Sequence, residues 1–288
     1  MTAPTFEGRL LPHPDEPPYD QGLQFDVETL IDRRRVLKAI GFGAATAGFA
    51  SLAACVPGSS AGASTAASTG ASQAAAACDV IPEETAGPFP GDGSNGPDIL
   101  NQSGAVRADI RSSFSSSSTI ATGIPLTIKL AIQDLANGCA PFASAAVYAW
   151  HCDQAGRYSM YSQGVTNENY LRGVQAAGSD GVVTFQSIFP AAYPGRWPHV
   201  HFEVYPSLTD ATDVGNRIAT SQIALPKDVC DQVYATTGYE QSVTSMQSLS
   251  LATDSVFAND GGVHQLGTMS GSVASGLGVV LAVPVRTG

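Results

Sequence analysis

The sequence predicts an all-β fold: a β-sandwich core of mainly antiparallel strands, with long loops and few short helices. Several short segments alternate apolar and polar residues or are rich in β-branched and aromatic residues, as strands are. These segments are residues 126–132, 145–150, 181–188 and 199–205. The 30 Gly and 18 Pro supply the turns that many short strands need.

Turn signals separate the predicted strands, and only one segment reads as a helix. The helix is predicted over residues 227–237, because Pro226 precedes it and Gly238 follows it. Short strands at this spacing favour a sandwich or a barrel over a helical bundle. The turn signals are Asn137-Gly138, Gly156, residues 179–181 and Pro194-Gly195.

The charge composition argues against one class of partner, nucleic acid. The chain has 14 Lys and Arg against 25 Asp and Glu, a formal net charge of −11. Its basic residues are scattered, apart from the run at residues 33–35. An acidic chain without a basic patch argues against nucleic acid as a partner.

The first 55 residues read as an export signal. Residues 33–38, Arg-Arg-Arg-Val-Leu-Lys, resemble a twin-arginine signal, with Arg33 and Arg34 as the arginine pair. Residues 52–55, Leu-Ala-Ala-Cys, resemble a lipobox, in which Cys55 becomes the lipidated amino terminus. The alternative is an uncleaved membrane anchor, but the apolar stretch of residues 39–54 is shorter than the roughly 20 residues of a spanning helix. We therefore expect an exported, extracytoplasmic lipoprotein that contacts the membrane only through Cys55.

Three regions follow from this reading. Residues 1–55 are the signal region, residues 56–78 a low-complexity flexible linker, and residues 79–288 the folded domain. Lipidation of Cys55 accounts for the odd number of five cysteines. The other four cysteines can form two disulfides in three ways, and the sequence does not choose among these pairings. They are Cys78, Cys139, Cys152 and Cys230.

The segment at residues 199–205 carries a possible metal site. In a strand, alternate side chains share a face, so His199 and His201 lie together, opposite Val200 and Phe202. Their backbones are about 7 Å apart, which suits two nitrogens converging on one ion. Taken alone, a His-x-His pair is as often two histidines on a solvated strand face.

Two tyrosines upstream make the pattern specific. Tyr193 lies six residues before His199, and Tyr158 ends a Gly-Arg-Tyr sequence. The order Tyr, Tyr, His-x-His resembles the intradiol ring-cleavage dioxygenases, especially the protocatechuate 3,4-dioxygenase-like group. The resemblance runs from about residue 80 to residue 225. It extends to residues 84–89, 169–175 and 181–190.

The resemblance implies that Tyr158, Tyr193, His199 and His201 bind one non-haem Fe(III). Ferric iron is a hard cation and phenolate is a hard anionic donor. Two tyrosinates and a hydroxide neutralise its three positive charges, which makes a partly buried ferric ion tolerable. Zinc fits less well, because its usual ligands are Cys, His and carboxylate.

The same resemblance implies the reaction and the catalytic residues. A catechol-type substrate and O2 would give a muconate-type diacid by cleavage between the two hydroxyl-bearing carbons. Tyr193 would leave the metal and accept a substrate proton, and Arg196 would stabilise negative charge on the ring. Gln222 matches a glutamine that the family often has near the iron.

Other histidines and tyrosines have plainer interpretations. His151 is expected to be structural and His264 solvated, while Tyr148, Tyr161 and Tyr170 are expected to pack or to line the pocket. Pro90 departs from the family pattern, which often has an aromatic residue there.

Two other functions are compatible with a β-sandwich. A non-catalytic cell-surface domain that binds aromatics or carbohydrate would be expected to lack an iron ligand. A copper protein would more often place Met or Cys beside the histidine pair. The sequence does not identify the preferred catechol or the oligomeric state.

Overall fold

The structure is a computed structural model that describes Thr5–Phe6, Arg9–Leu10 and residues 78–287. The predicted twin-arginine signal and lipobox lie outside the described residues, as does the linker up to residue 77. The prediction that residues 1–78 form a signal and a tether therefore stays a prediction.

The described chain consists mainly of strands. Two α-helices occur among the described residues, α1 (Lys227–Tyr234) and α2 (Glu240–Met246). Neither is long and apolar enough to span a membrane. The strands are β1 (Thr5–Phe6), β2 (Arg9–Leu10), β3 (Pro125–Asp134), β4 (Ala140–Pro141), β5 (Ala146–Trp150), β6 (Arg172–Ala176), β7 (Val182–Ile188), β8 (His199–Tyr205), β9 (Ala219–Ala224), β10 (Thr268–Ser272) and β11 (Gly276–Val285).

Two sheets form the domain, and β1 and β2 pair separately as a two-stranded ribbon. In the first sheet the central strand β3 pairs with β11 on one side and with β7 and β4 on the other, and β10 extends the sheet beyond β11. The second sheet has the order β6-β5-β8-β9 and is entirely antiparallel. Only the β3–β11 pair is parallel among the paired strands described. The prediction of a mainly antiparallel sandwich is confirmed.

The main hydrophobic core is made by alternate residues of the strands of both sheets. In β3 the buried side chains alternate with more exposed ones, as the sequence pattern predicts. Full burial of each aliphatic or aromatic side chain stabilises the fold by roughly 1.5–3 kcal/mol. The core includes Leu126, Ile128, Leu130, Val183, Phe185, Val279 and Val283 from the first sheet, and Val147, Ala149, Val200, Phe202, Val204 and Ile223 from the second.

The four predicted strands are present, with small differences at their ends, and the predicted helix ends at Tyr234 instead of residue 237. Strand β9 was not predicted, because both of its faces are buried and its polar Thr220 and Gln222 interrupt any alternation. The turn glycines adopt the left-handed conformation that the turns require. They are Gly138, Gly156, Gly181 and Gly195.

One disulfide forms within the described residues, between Cys78 and Cys139. Cys152 and Cys230 are buried free thiols, so the two bridges that the cysteine count allowed are not both made. Burial raises the pKa of both thiols above the ordinary range. The bridge joins two cysteines that are 61 positions apart in the sequence. For a loop of that length, the loss of chain entropy in the unfolded state predicts about 4 kcal/mol of stabilisation.

The segment after Cys78, residues 79–92, runs from the bridged end of the sandwich to the opposite end. Ile81 N donates to Pro284 O near the carboxyl end of β11, and Glu84 N donates to Thr220 O in β9. Further along, Gln222 Nε2 donates to Thr85 O at 2.9 Å. Residues 79–92 cover the end of the second sheet where β8 begins. We call them the entry segment, because they are the first part of the domain in the chain.

Candidate metal centre

The second sheet brings three side chains into one row at the end where β8 begins. Trp150 of β5 pairs with His201 of β8, and His201 pairs with Gln222 of β9. His199 lies two residues earlier on the same face as His201. That face is buried, because the entry segment and neighbouring loops cover it, so the alternative of a solvated histidine pair is wrong.

Four donor atoms converge at this end of the sheet. Tyr158 Oη lies 3.3 Å from Tyr193 Oη, and each of these oxygens lies 3.3 Å from His199 Nε2. His199 Nε2 lies 3.0 Å from His201 Nε2. Tyr158 and both histidines are at most 3% exposed, whereas Tyr193 is only partly buried. We call these four residues the donor tetrad; the sequence analysis named all four.

The separations of the tetrad fit ligands of a single ion. Nitrogen and oxygen ligands lie about 2.0–2.2 Å from a bound transition metal, so neighbouring ligands are roughly 3 Å or slightly more apart. Within the described residues, no group of three or more His, Cys, Asp and Glu side chains could hold a metal ion. The tetrad draws half of its donors from tyrosine, which suits a hard, highly charged cation.

The histidine rings are held with Nε2 directed into the tetrad. His199 Nδ1 donates a hydrogen bond to Trp197 O, which places the proton on Nδ1 and leaves the Nε2 lone pair for a metal. His201 stacks on Trp150 with the ring centroids 4.8 Å apart. On its other side lies Gly87, where a Cβ would be 3.3 Å from His201 Cε1 and where φ is +72°. The glycine therefore lets the entry segment approach the His201 ring.

Burial controls the protonation of the tetrad. Burial lowers the pKa of His199 to about 3, with a further contribution from the charge of Arg196, and lowers the pKa of His201 well below its ordinary value. Both imidazoles are therefore neutral, as metal ligands must be. Burial also raises the pKa of Tyr193 to about 12 and raises the pKa of Tyr158 well above its ordinary value. Without a cation both phenols keep their protons, and a bound cation would favour the phenolates.

A buried carboxylate shapes the loop that carries Tyr158. Asp153 Oδ1 accepts hydrogen bonds from the backbone N–H groups of Ala155 and Arg157, while Oδ2 binds the Arg157 side chain and Tyr170 Oη. Within this loop Gly156 has φ +80°, and a Cβ there would lie 3.3 Å from Tyr193 Cβ. The turn thus permits the two tyrosine segments to meet.

Arg196 and Gln222 lie beside the tetrad and are bonded to each other. Arg196 Nη2 donates to Gln222 Oε1 at 2.7 Å, and Arg196 Nε donates to Asp254 Oδ2 at 3.1 Å. Burial opposes a charge on Arg196, but the charge of Asp254 and its hydrogen bond to the guanidinium act in the other direction, and the pKa of the arginine is raised. A permanent positive charge is therefore held next to the two phenols.

A second arginine, Arg172, is fully buried and binds the entry segment. Its Nη1 donates to Pro90 O at 2.7 Å, and its Nη2 donates to Phe89 O at 2.9 Å and to Ser159 O at 3.0 Å. Tyr148 Oη also accepts from Nη1, and Ser159 Oγ accepts from Nε. Arg172 therefore joins the entry segment to the residue that follows Tyr158.

The remaining histidines and tyrosines have the plainer roles that the sequence suggested. His151 Nε2 bonds Ser187 Oγ at 2.6 Å, and His264 is exposed. Tyr148 Oη donates to Pro90 O, and Tyr161 Oη donates to Asn95 Oδ1. Sequence reasoning missed Asp254, which lies in a polar loop without a periodic pattern, and it missed what Arg172 binds.

Part of the chain matches a known protein family. Residues 95–209 match the family model for Dioxygenase, a range that holds the whole tetrad and Arg196 but neither Gln222 nor Asp254. No curated protein matches the chain.

Several solved structures are similar to parts of this chain. An intradiol ring-cleavage dioxygenase from Tetranychus urticae is 24% identical, covering 73% of this chain and 95% of its own, with a TM-score of 0.56. The dioxygenase domain of a carbohydrate-binding fusion from Streptomyces sp. SirexAA-E is 21% identical, covering 73% and 100% of the two chains, with a TM-score of 0.45. The 3-chlorocatechol 1,2-dioxygenase of Rhodococcus opacus 1CP is 15% identical, covering 66% and 69%, with a TM-score of 0.43. The Tetranychus structure shows that the fold is shared.

Proposed function

We propose that this protein is a non-haem Fe(III)-dependent intradiol dioxygenase, which uses O2 to open catechol-type rings between the two hydroxyl-bearing carbons. One observation carries the proposal: His199 Nε2 lies 3.0 Å from His201 Nε2 and 3.3 Å from each of two phenol oxygens, which are themselves 3.3 Å apart. The match of residues 95–209 to the Dioxygenase family supports it.

The tetrad would hold the ferric ion as two phenolates and two neutral imidazoles. Two phenolates offset two of the three positive charges, which reduces the cost of burying the ion. When bound, the ion would supply Lewis-acid activation of the catechol, so that a ring carbon becomes reactive toward O2.

The protein residues then have separate tasks. Tyr193 is the most exposed member of the tetrad, so its oxygen is best placed to take a proton from a substrate hydroxyl. Arg196 offers a fixed positive charge where negative charge develops on the ring. Phe89 lies 4.9 Å from the Tyr158 ring and 5.3 Å from the Tyr161 ring, which keeps this side of the centre apolar.

Product analysis with labelled oxygen tests the reaction. The iron-loaded protein and a simple catechol under 18O2 are expected to give a muconate-type diacid that carries both oxygen atoms, detected by mass and ultraviolet spectrum. Protein reconstituted with zinc is the control and should give no product. A yellow semialdehyde, or a quinone without added oxygen, would contradict the proposed function.

We also propose that the protein is exported by the twin-arginine route and anchored through a lipid on Cys55. The Cys78–Cys139 disulfide supports export, because such bridges persist mainly in oxidising compartments. Replacing Arg33 and Arg34 together with Lys is expected to leave the precursor in the cytoplasm, as measured by cell fractionation. Arg35→Lys is the matched control and should be exported normally.

Cys55→Ala separates anchoring from folding. This variant is expected to lose membrane association while its folded domain keeps its activity. Normal export of the Arg33 and Arg34 double variant would rule out the twin-arginine route. Unchanged membrane association of Cys55→Ala would rule out the lipid anchor.

A further inference from the structure

A buried carboxylate, that of Asp254, binds the segment that leads into β8. Asp254 Oδ2 accepts from Arg196 Nε at 3.1 Å and from Trp197 N at 2.6 Å. The Asp254 side chain has no exposed surface, whereas the Arg196 side chain is 15% exposed. The carboxylate therefore holds Arg196 from the interior, three residues before His199.

The other oxygen of the same carboxylate is fixed by its own loop. Asp254 Oδ1 accepts from Val256 N at 2.8 Å and from Phe257 N at 3.1 Å. Val256 and Phe257 pack in a small apolar cluster with Trp197. Each carboxylate oxygen thus has two donors, and apolar contacts set the position of the loop that supplies it.

Arg196 has one further hydrogen bond, and its partner lies beside the tetrad. Its Nη2 bonds Gln222, whose own side chain donates to Thr85 O and which pairs with His201 across the strands. An arginine side chain has several rotatable bonds, so contacts on two sides leave it little freedom. Asp254 makes no hydrogen bond to any tetrad side chain in the described part of the chain. It reaches the centre by two routes: the Arg196 side chain, and the backbone of Trp197, whose carbonyl accepts from His199 Nδ1.

We propose that Asp254 is a positioning residue, which holds the Arg196 guanidinium beside the donor tetrad and affects kcat through that arginine, whereas a loss of iron content would report its bond to Trp197 N. The proposal rests on the ring-cleavage function proposed above. A fixed charge stabilises a transition state most when it is already oriented before the reaction begins. The carboxyl-terminal loop, which lies outside the matched range of residues 95–209, would thereby contribute to the site.

A double-mutant cycle tests whether Asp254 acts through Arg196. Asp254→Asn keeps the shape of the side chain but removes its charge, and is expected to lower kcat by about 10–10²-fold with little change in KM or iron content. Arg196→Ala is expected to lower kcat by about 10²–10³-fold. The double variant should match Arg196→Ala alone, because no arginine remains to be positioned. Additive losses would overturn the proposal.

A second measurement needs neither iron nor turnover. In iron-free protein with 15N-labelled arginine, the Nε–H signal of Arg196 is identified by its loss in Arg196→Ala. Asp254→Asn is expected to shift this signal and to increase its exchange with water by about tenfold or more, because its hydrogen-bond acceptor is weakened. Asp231→Asn is the matched control: Asp231 pairs with Lys227 on the surface, and its loss should change neither the signal nor kcat.

The two measurements separate the possible failures. An unchanged Arg196 signal in Asp254→Asn would overturn the positioning role. A protein that cleaves no catechol but shows the coupled signal would refute the proposed function while supporting the contact between Asp254 and Arg196. If Asp254→Asn does not fold, Asp254→Glu, which keeps the charge at a longer reach, should shift the Arg196 signal and should lower kcat by less than Arg196→Ala does; an unchanged signal and kcat would overturn the positioning role.

Discussion

Tyr158→Phe is expected to yield a folded protein that binds iron more than about 10²-fold more weakly and that lacks visible colour. The change removes a single oxygen, which lies 3.3 Å from both Tyr193 Oη and His199 Nε2. Replacing residues that merely orient metal ligands already costs about 10–100-fold in affinity, so losing a ligand should cost more. Iron content by elemental analysis and the charge-transfer absorption of tyrosinate-bound Fe(III) measure the effect.

His199→Ala should have the same outcome, and His264→Ala is its control. His264 is exposed, so its replacement should leave iron content, colour and activity as in the parent protein. A fully iron-loaded, red Tyr158→Phe protein would show that Tyr158 is not a ligand. A colourless parent protein that takes up mainly zinc would remove the ferric assignment altogether.

Arg172→Met is expected to lower the free energy of unfolding by about 3–5 kcal/mol, because several buried carbonyl and hydroxyl groups lose the same charged donor. The methionine fills part of the space but removes the Arg172 donor from the carbonyl groups of Phe89, Pro90 and Ser159, of which Pro90 O keeps its bond from Tyr148 Oη. Each buried polar group left unpaired costs about 1–3 kcal/mol, and relief from burying the charge offsets part of the sum. Urea unfolding of the iron-free protein measures the change directly.

A surface arginine supplies the comparison for Arg172. Arg111 pairs with Asp109, and both side chains are more than 40% exposed. Arg111→Met should therefore change the free energy of unfolding by less than about 1 kcal/mol. If Arg172→Met is no less stable than Arg111→Met, the contacts of Arg172 do not hold the entry segment in place.

The shared face of the two histidines and the glycine turns could be predicted because each depends only on neighbouring residues. A strand places every second side chain on the same face, so His199 and His201 are neighbours in any strand that contains them. Left-handed turns favour glycine, so Gly138 and Gly181 mark the ends of strands. Both features follow from the geometry of a few consecutive residues.

Strand β9 escaped prediction because its burial differs from the usual alternation. Strand β9 carries Thr220, Ser221 and Gln222, which are all buried and which read as a polar loop in the sequence. Their burial is tolerated where partners exist, as when Gln222 binds both Thr85 O and Arg196. Those partners lie far away in the chain, so no pattern of neighbouring residues predicts them.

The sequence by itself determined the antiparallel sandwich, the shared face of His199 and His201 and, through family resemblance, the naming of Tyr158 and Tyr193 as their partners. Only the tertiary structure decided that Cys78 pairs with Cys139, that Arg172 binds the entry segment, and that Asp254 binds Arg196 from 58 residues downstream. The physical reason is the range of the interactions. Backbone geometry sets a period within each strand, whereas a buried charge takes whichever partner the packing of distant segments brings within hydrogen-bonding distance.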